Sequence, residues 1–287
     1  MTVDLTNVVR EYRTGGHVVR ALDRVTLRIN GGEFTSIVGP SGAGKSTLLQ
    51  LLGALDSPDS GSIQFNGTEI ATMTDEQQST FRRHQVGFVF QFFNLLPTLT
   101  AWENVALPML LDGKRLRRVR ADAVALLDRV GLGDRIDHRP AELSGGQMQR
   151  VAVARALMMD PPLILADEPT GNLDSSTGAA IMELLRDVSR TDGAGRAVIM
   201  VTHDLAAAAQ TDRVITVQDG VVRFDTAGGA GRDVNSPRRA PDGGRHAVGV
   251  REQPTEVIPT VRNGEFTSHV LLTDPPRRRG KHSAHRR

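Results

Sequence analysis

Apolar and polar positions alternate through residues 1–30, with Val3 and Leu5, Val18 and Ala21, then Val25, Leu27 and Ile29 on the apolar side. A period of two belongs to half-buried strands, so this stretch predicts short antiparallel strands turned at Gly15-Gly16. Phe34-Thr35-Ser36-Ile37-Val38 predicts a short buried strand. From Lys45 to Leu55 the period becomes helical, with Leu48, Leu49, Leu51, Leu52 and Leu55 forming one apolar face. Ser62 to Gly67 reads as another strand and turn, and Val86-Gly87-Phe88-Val89-Phe90 as a buried strand ending at Gln91.

Between about Leu95 and Asp160 the character is helical. Thr100-Ala101-Trp102-Glu103 has the form of a capping box, in which hydroxyl and carboxylate each take up a backbone N–H of the other residue. Arg117 to Val130 predicts a second helix, with Val119, Ala123, Leu126, Leu127 and Val130 in register. A third runs from Ser144 to Met159 and stops before Pro161-Pro162, where proline cannot continue the ladder. Leu163-Ile164-Leu165-Ala166 is an unbroken apolar run, suited to the middle of a parallel sheet. Thr177 to Arg190 predicts a helix, Ala197 to Val201 a strand, and Asp204 to Gln210 a short helix. Val214 to Val217 and Val221 to Phe224 flank Gln218-Asp219-Gly220, a hairpin signal. After about Thr226 the patterning fails, and the Gly-, Pro- and Arg-rich stretch 226–287 reads as a disordered tail.

Composition narrows the picture. With 287 residues, 39% hydrophobic and 24% charged, the chain can bury a substantial core. It has no cysteine, which removes disulfide frameworks and thiolate metal sites. No run of about 18 apolar residues occurs, and the first residues show no basic stretch followed by an apolar core, so neither a bilayer span nor an export signal is expected. Any membrane role then falls to the cytoplasmic side, through a partner. The net charge of +2 conceals an asymmetry: residues 231–287 hold 12 Lys or Arg against 6 Asp or Glu, leaving 23 against 27 in the first 230. The basic character therefore belongs to the tail and is no argument that the folded part binds nucleic acid. Arg277-Arg278-Arg279-Gly280-Lys281 and Arg286-Arg287 suit contact with anionic lipid or nucleic acid, or serve only to keep a solvated tail soluble.

The densest chemistry is Gly39-Pro40-Ser41-Gly42-Ala43-Gly44-Lys45-Ser46-Thr47. It fits G-x-x-x-x-G-K-[ST] and stands between a predicted strand and a predicted helix, the setting a phosphate-binding loop requires. Glycines let the backbone wrap a polyphosphate, and free amides at the positive end of a helix meet its charge. Lys45 is then expected at the β- and γ-phosphates and the Ser46 hydroxyl on Mg²⁺. The strand at 163–166 delivers Asp167 and Glu168 at its C-terminal end, where α/β sheets place ligand chemistry. An Asp there suits Mg²⁺ and the adjacent Glu suits polarising a water; alternatively the pair merely caps the next turn.

Leu143-Ser144-Gly145-Gly146-Gln147, before a helix and before the Asp-Glu strand, matches the signature sequence of the ATP-binding cassette family. Residues 1 to about 225 resemble one nucleotide-binding subunit of an ABC transporter. The resemblance implies an α/β P-loop NTPase fold: a RecA-like parallel-sheet core, an N-terminal antiparallel β-subdomain and an inserted α-helical signature subdomain at about 92–160. It further implies that Tyr12 stacks on adenine and that residues 39–47 form the Walker A loop. Gln91 is implied as the Q-loop residue touching Mg²⁺ and sensing the membrane partner. Ser144, Gly145, Gly146 and Gln147 are implied to close over the nucleotide of the opposite subunit. Asp167 is implied as a metal ligand, Glu168 as the catalytic glutamate, His203 as the switch histidine, and Asn172-Leu173-Asp174 as the loop crossing the dimer interface. Met148 stands where the family usually has Gln, without expected chemical effect.

One loop and one signature per chain imply that ATP and Mg²⁺ are sandwiched in a homodimer. Phe92 to Thr100 with Glu103-Asn104-Val105 and Leu107-Pro108, and Ala166 to Asp174, resemble the macrolide-export and lipoprotein-release group. The expectation is an ATP-hydrolysing subunit held at the cytoplasmic face of a membrane by polytopic permease subunits. A soluble ABC-type ATPase acting on a ribosome, nucleic acid or assembly machine is the competing reading, and a non-enzymatic nucleotide-binding scaffold a third. Phe92 to Leu96 is expected to form part of the groove for the membrane partner.

Overall fold

The computed structural model describes residues 1–15, 17–190, 195–228, 232–233, 259–262 and 265–268. Strands β1 (Thr2–Thr14) and β2 (His17–Asn30) pair antiparallel from Thr2 opposite Asn30 to Thr14 opposite His17. They are long rather than short. Register shifts between Leu5 and Glu11 break the pairing locally, and Asn7 and Arg24 take left-handed backbone there. Such bulges raise the twist and let one ribbon serve both its partner strand and the cleft at its tip.

Strand β3 (Phe34–Val38) leads to helix α1 (Lys45–Leu52). This helix is shorter than the sequence suggests. Gly53 closes it by donating to the Leu49 carbonyl, Ala54 turns left-handed, and Leu55 ends half-exposed instead of extending the apolar face. Strands β4 (Ser60–Phe65) and β5 (Thr68–Glu69) follow. Helix α2 (Asp75–Gln85) has no counterpart in the hydrophobic pattern because it buries only Phe81; a Thr74–Gln77 capping box starts it. Next come β6 (Val86–Phe90), α3 (Ala101–Leu111), α4 (Leu116–Arg129) and α5 (Gly145–Leu157). The predicted capping box is present: Glu103 N–H donates to Thr100 Oγ1 at 3.4 Å, and Thr100 N–H to Glu103 Oε2 at 2.9 Å. Then follow β7 (Leu163–Asp167), α6 (Ser175–Arg190), β8 (Ala197–Val201), α7 (Leu205–Ala208), β9 (Arg213–Gln218) and β10 (Val221–Asp225).

Two sheets result. One is antiparallel in the order β2-β1-β4-β5. The other places β9, β3, β8, β7 and β6 in parallel, with β10 and the short β11 (Arg232–Asp233) added antiparallel at one edge. The strand period divides the apolar residues of the parallel sheet between two cores. Ile37, Leu165 and Ile199 face α1 and the antiparallel sheet; Phe34, Ile164 and Val198 face α5 and α6. Both faces are covered, which is why these strands read as continuous apolar runs. Helices α3, α4 and α5 enclose a third core around Trp102, Val105, Leu127 and Val151, against which Met148 packs.

The chain divides into two units, 1–237 and 238–287. In the second, β12 (Pro259–Arg262) and β13 (Glu265–Ser268) pair antiparallel, with Val261 opposite Phe266. These elements, β11 and the single turn Thr226–Gly228 are the ordered pieces described within the stretch expected to be disordered. The rest of that tail, including both arginine clusters, lies outside the described residues.

Candidate active site

The loop after β3 wraps the start of α1 in a conformation its glycines require. Gly39 (φ 152°) and Gly44 (φ 101°) lie in the left-handed half of backbone space, and a Cβ on either would collide with a carbonyl oxygen, of Val217 and Ala21 respectively. Helix α1 therefore opens with no side chain capping it, leaving its first amides free toward the cleft. Lys45 is buried and folds back over the loop, its Nζ donating to the carbonyls of Gly39 (2.9 Å) and Pro40 (2.8 Å).

Ser41, Lys45, Ser46 and Thr47 line a cleft of about 440 Å³ together with Tyr12, Val19, Glu168 and His203. Four separate stretches of sequence thus meet in one place. Asp167 and Gln91 do not line the cleft itself. Asp167 ends β7 beside β8, opposite Val201. Burial pushes the Asp167 carboxyl above the ordinary range and Glu168 adds to this, while Lys45 opposes both. Burial lowers the Lys45 ammonium, and Glu168 and Asp167 hold it up. Two carboxylates facing one ammonium in a partly desolvated site leave negative charge that a hard cation would neutralise, with the Ser46 hydroxyl and Asp167 as oxygen donors.

Glu168 itself adopts left-handed backbone (φ 45°), fixed by donation of its N–H to Val201 O at 2.9 Å. His203, two residues past β8, places Nδ1 3.0 Å from Glu168 Oε1. Gln91 and Asn172 clasp each other: Asn172 Nδ2 donates to the Gln91 carbonyl at 3.0 Å, and Gln91 Nε2 approaches Asn172 Oδ1 at 3.4 Å. Asp174 caps α6, accepting from Ser176 N–H, Ser176 Oγ and Thr177 N–H, and those bonds hold its carboxyl far below the usual range.

Tyr12 stands at the cleft mouth on a built support. The Arg10 guanidinium lies 4.9 Å from its ring centroid, and Asp56 accepts from both Tyr12 OH (3.0 Å) and Arg10 Nε (2.9 Å). No sequence signal pointed to Arg10 or Asp56, since each matters only through this contact.

Ser144, Gly145, Gly146 and Gln147 are not brought to the cleft. They start α5 as a reciprocal cap, with Gln147 N–H donating to Ser144 Oγ (3.3 Å) and Ser144 N–H to Gln147 Oε1 (2.8 Å). Gly145 lies by Leu173 and Phe93, and Gly146 against Thr177. Further along α5, Arg155 donates to the carbonyls of Phe93 (2.8 Å) and Asn94, pinning two successive left-handed residues after Gln91. Beside this clamp runs a mostly apolar groove of about 460 Å³, bounded by Phe88, Phe90, Leu107, Pro108 and the exposed Leu55 and Leu111. Phe92 is 73% exposed nearby, whereas Phe93 and Leu95 are partly buried.

Comparison with known proteins extends this geometry. Residues 22–171 match the family model described as ABC transporter. The chain is 46% identical over 246 residues to the macrolide export ATP-binding/permease protein MacB of Chlorobaculum tepidum, covering 86% of this chain and 37% of that protein. The chain thus spans little more than a third of the length of that relative. It is also 46% identical over 216 residues to the lipoprotein-releasing system ATP-binding protein LolD of Shewanella oneidensis, covering 75% of this chain and 93% of that one. Among solved structures, the dimeric post-hydrolysis ATP-binding cassette MJ0796 bound to ADP and Pi superposes with TM-score 0.70 at 42% identity, covering 78% of this chain and 97% of that chain.

Proposed function

The chain belongs to the ABC transporter family and has the fold of its ATP-binding cassettes, and from this premise we propose that it binds and hydrolyses ATP to drive a membrane transporter of the export, lipoprotein-release or mechanotransmission kind. The observation that carries the reading is the convergence of Lys45, Ser46, Glu168 and His203 on one cleft. In this reading the loop amides and Lys45 hold the triphosphate and neutralise charge developing at the γ-phosphate. Glu168 accepts a hydrogen bond from the attacking water and so turns its lone pair toward phosphorus, while His203 fixes the carboxylate. Ser46 and Asp167, with Gln91 in reach of the same region, would hold Mg²⁺, which supplies Lewis-acid polarisation of the phosphate oxygens when bound. Tyr12 provides the face on which adenine stacks.

Ser144, Gly145, Gly146 and Gln147 lie apart from the cleft, so the complete site takes them from a second copy, and two copies enclose two nucleotides. Residues 1–225 form the cassette in this assignment, with 92–160 as its helical part and 226–287 as an appendage. The apolar groove with its exposed rim at Leu55 and Leu111 favours a membrane partner over a soluble machine, because a helix of a polytopic permease would cover it. Among the described residues no helix is long and apolar enough to cross a membrane, so attachment to the cytoplasmic face would be through that partner.

The test is phosphate release by purified protein with Mg-ATP, alongside Glu168→Gln. Wild type turns over, and the variant binds ATP, sediments as a dimer and releases none. A variant that hydrolyses at the parent rate overturns the role given to Glu168, and a wild type that neither binds nor hydrolyses ATP overturns the function.

A further inference from the structure

We propose that Gln149 is a positioning residue that ties the backbone at Glu168 to the helix beginning at Ser144, so that the signature end of the molecule and its own hydrolytic carboxylate move together. The inference rests on the reading of Glu168 as the group that polarises the attacking water.

Gln149 sits one turn into α5 with no solvent exposure. Its Nε2 donates to the Pro169 carbonyl at 2.7 Å, while its Oε1 has no partner. Because a carbonyl only accepts, the orientation of the amide follows from the bond itself. A buried amide with its oxygen unanswered is a poor choice for packing alone, where an apolar side chain of equal length would serve better. What singles out Gln149 is therefore the group it holds.

That group is the carbonyl of Pro169, the residue after Glu168, in the peptide that joins Pro169 to Thr170. Left-handed backbone at a residue with a side chain persists only when the surroundings enforce it, and the proline that follows narrows the choices further. Three bonds act here. Glu168 N–H to Val201 O comes from the sheet, and Gly171 N–H to Glu168 O (3.1 Å) closes the turn on itself. The bond from Gln149 is the one that comes from α5, five residues, or about 7.5 Å along the helix axis, after Ser144. Gly146 pressing on Thr177, beside the Asp174 cap, makes a second contact between the start of α5 and the same loop. When the signature closes over a nucleotide held by another copy, the shift of α5 reaches Pro169, and through it the Glu168–His203 pair. Closure on one nucleotide then sets the carboxylate that polarises the water attacking the other.

Gln149→Met keeps length and packing and deletes the donor. Steady-state phosphate release should show kcat lowered about tenfold with KM for ATP within about twofold, while ATP affinity and melting temperature stay near wild type. A purely structural role would lower the melting temperature and leave turnover per folded molecule unchanged. Should Gln149→Met fold poorly, Gln149→Asn retains the amide but is one methylene too short to reach Pro169, and the same split is expected. A well-folded variant with wild-type kcat overturns the inference while the ATPase reading stands; a wild type without turnover removes both.

Discussion

His203 Nδ1 lies 3.0 Å from Glu168 Oε1, joining the ends of two neighbouring parallel strands across the mouth of the cleft. The histidine is 69% exposed and the carboxylate 24%, so the freer group steadies the more enclosed one from the solvent side. Replacing His203 with Ala should leave the phosphate loop and ATP binding intact yet let the Glu168 carboxylate rotate. The expected result is kcat reduced by roughly ten- to a hundredfold with little change in KM, read from steady-state phosphate release. A variant with unchanged kcat and raised KM would place His203 in binding instead.

Asp167 offers a trade between stability and chemistry. Burial and the neighbouring Glu168 raise its pKa in the folded chain above the unfolded value. A carboxyl raised in this way favours the fold at pH below the ordinary Asp value of 3.8, and that contribution is lost as pH rises through the higher folded value. Asp167→Asn should therefore match wild type in acid and gain over it toward neutral pH, in denaturant or thermal unfolding without nucleotide. Adding Mg-ATP should reverse the order, because the wild type regains the charge balance and the variant does not.

Tyr12 is held flat by a guanidinium and a carboxylate, an arrangement that suits a stacking platform more than a surface aromatic. Tyr12→Ala should weaken ATP by about 1–3 kcal/mol, the range for losing a base-stacking aromatic. Arg10→Leu should act in the same direction and less strongly, with kcat unchanged. Inorganic tripolyphosphate, which has no base, should compete equally well for variant and wild type; if it discriminates between them, Tyr12 acts on the loop and not on the base.

Most of the elements were legible because their chemistry is local. The Thr100–Glu103 cap, the hairpin at Asp219-Gly220, and the strands at 86–90, 163–166 and 197–201 all follow from short-range rules, and the structure has each. Helix α2 escaped because it packs through Phe81 alone, although Thr74 and Gln77 advertised its start. Leu55 was misplaced because helical spacing says nothing of the turn at Gly53 and Ala54 that ends α1. The motif residues of the cleft could be named from sequence. The supports under them could not: Arg10 beneath Tyr12, Arg155 behind Phe93 and Gln149 behind Pro169 each connect segments between 2 and 62 residues apart. Only folding brings the distant ones into touch.

Helix α5 buries Val151 and Ala154 in the all-helical core and Val153, Ala156 and Leu157 in the core beneath the parallel sheet. A rod gripped on opposite sides by two packed layers cannot spin in place without opening a gap in one of them. A reorientation of the three-helix lobe would instead carry this rod with it, with the bending taken up where the chain enters and leaves the lobe, at Phe93-Asn94 and Asp160, all three in left-handed backbone. Movement of the lobe would then reach the sheet as a tilt of the rod, and stiffening either joint would resist it.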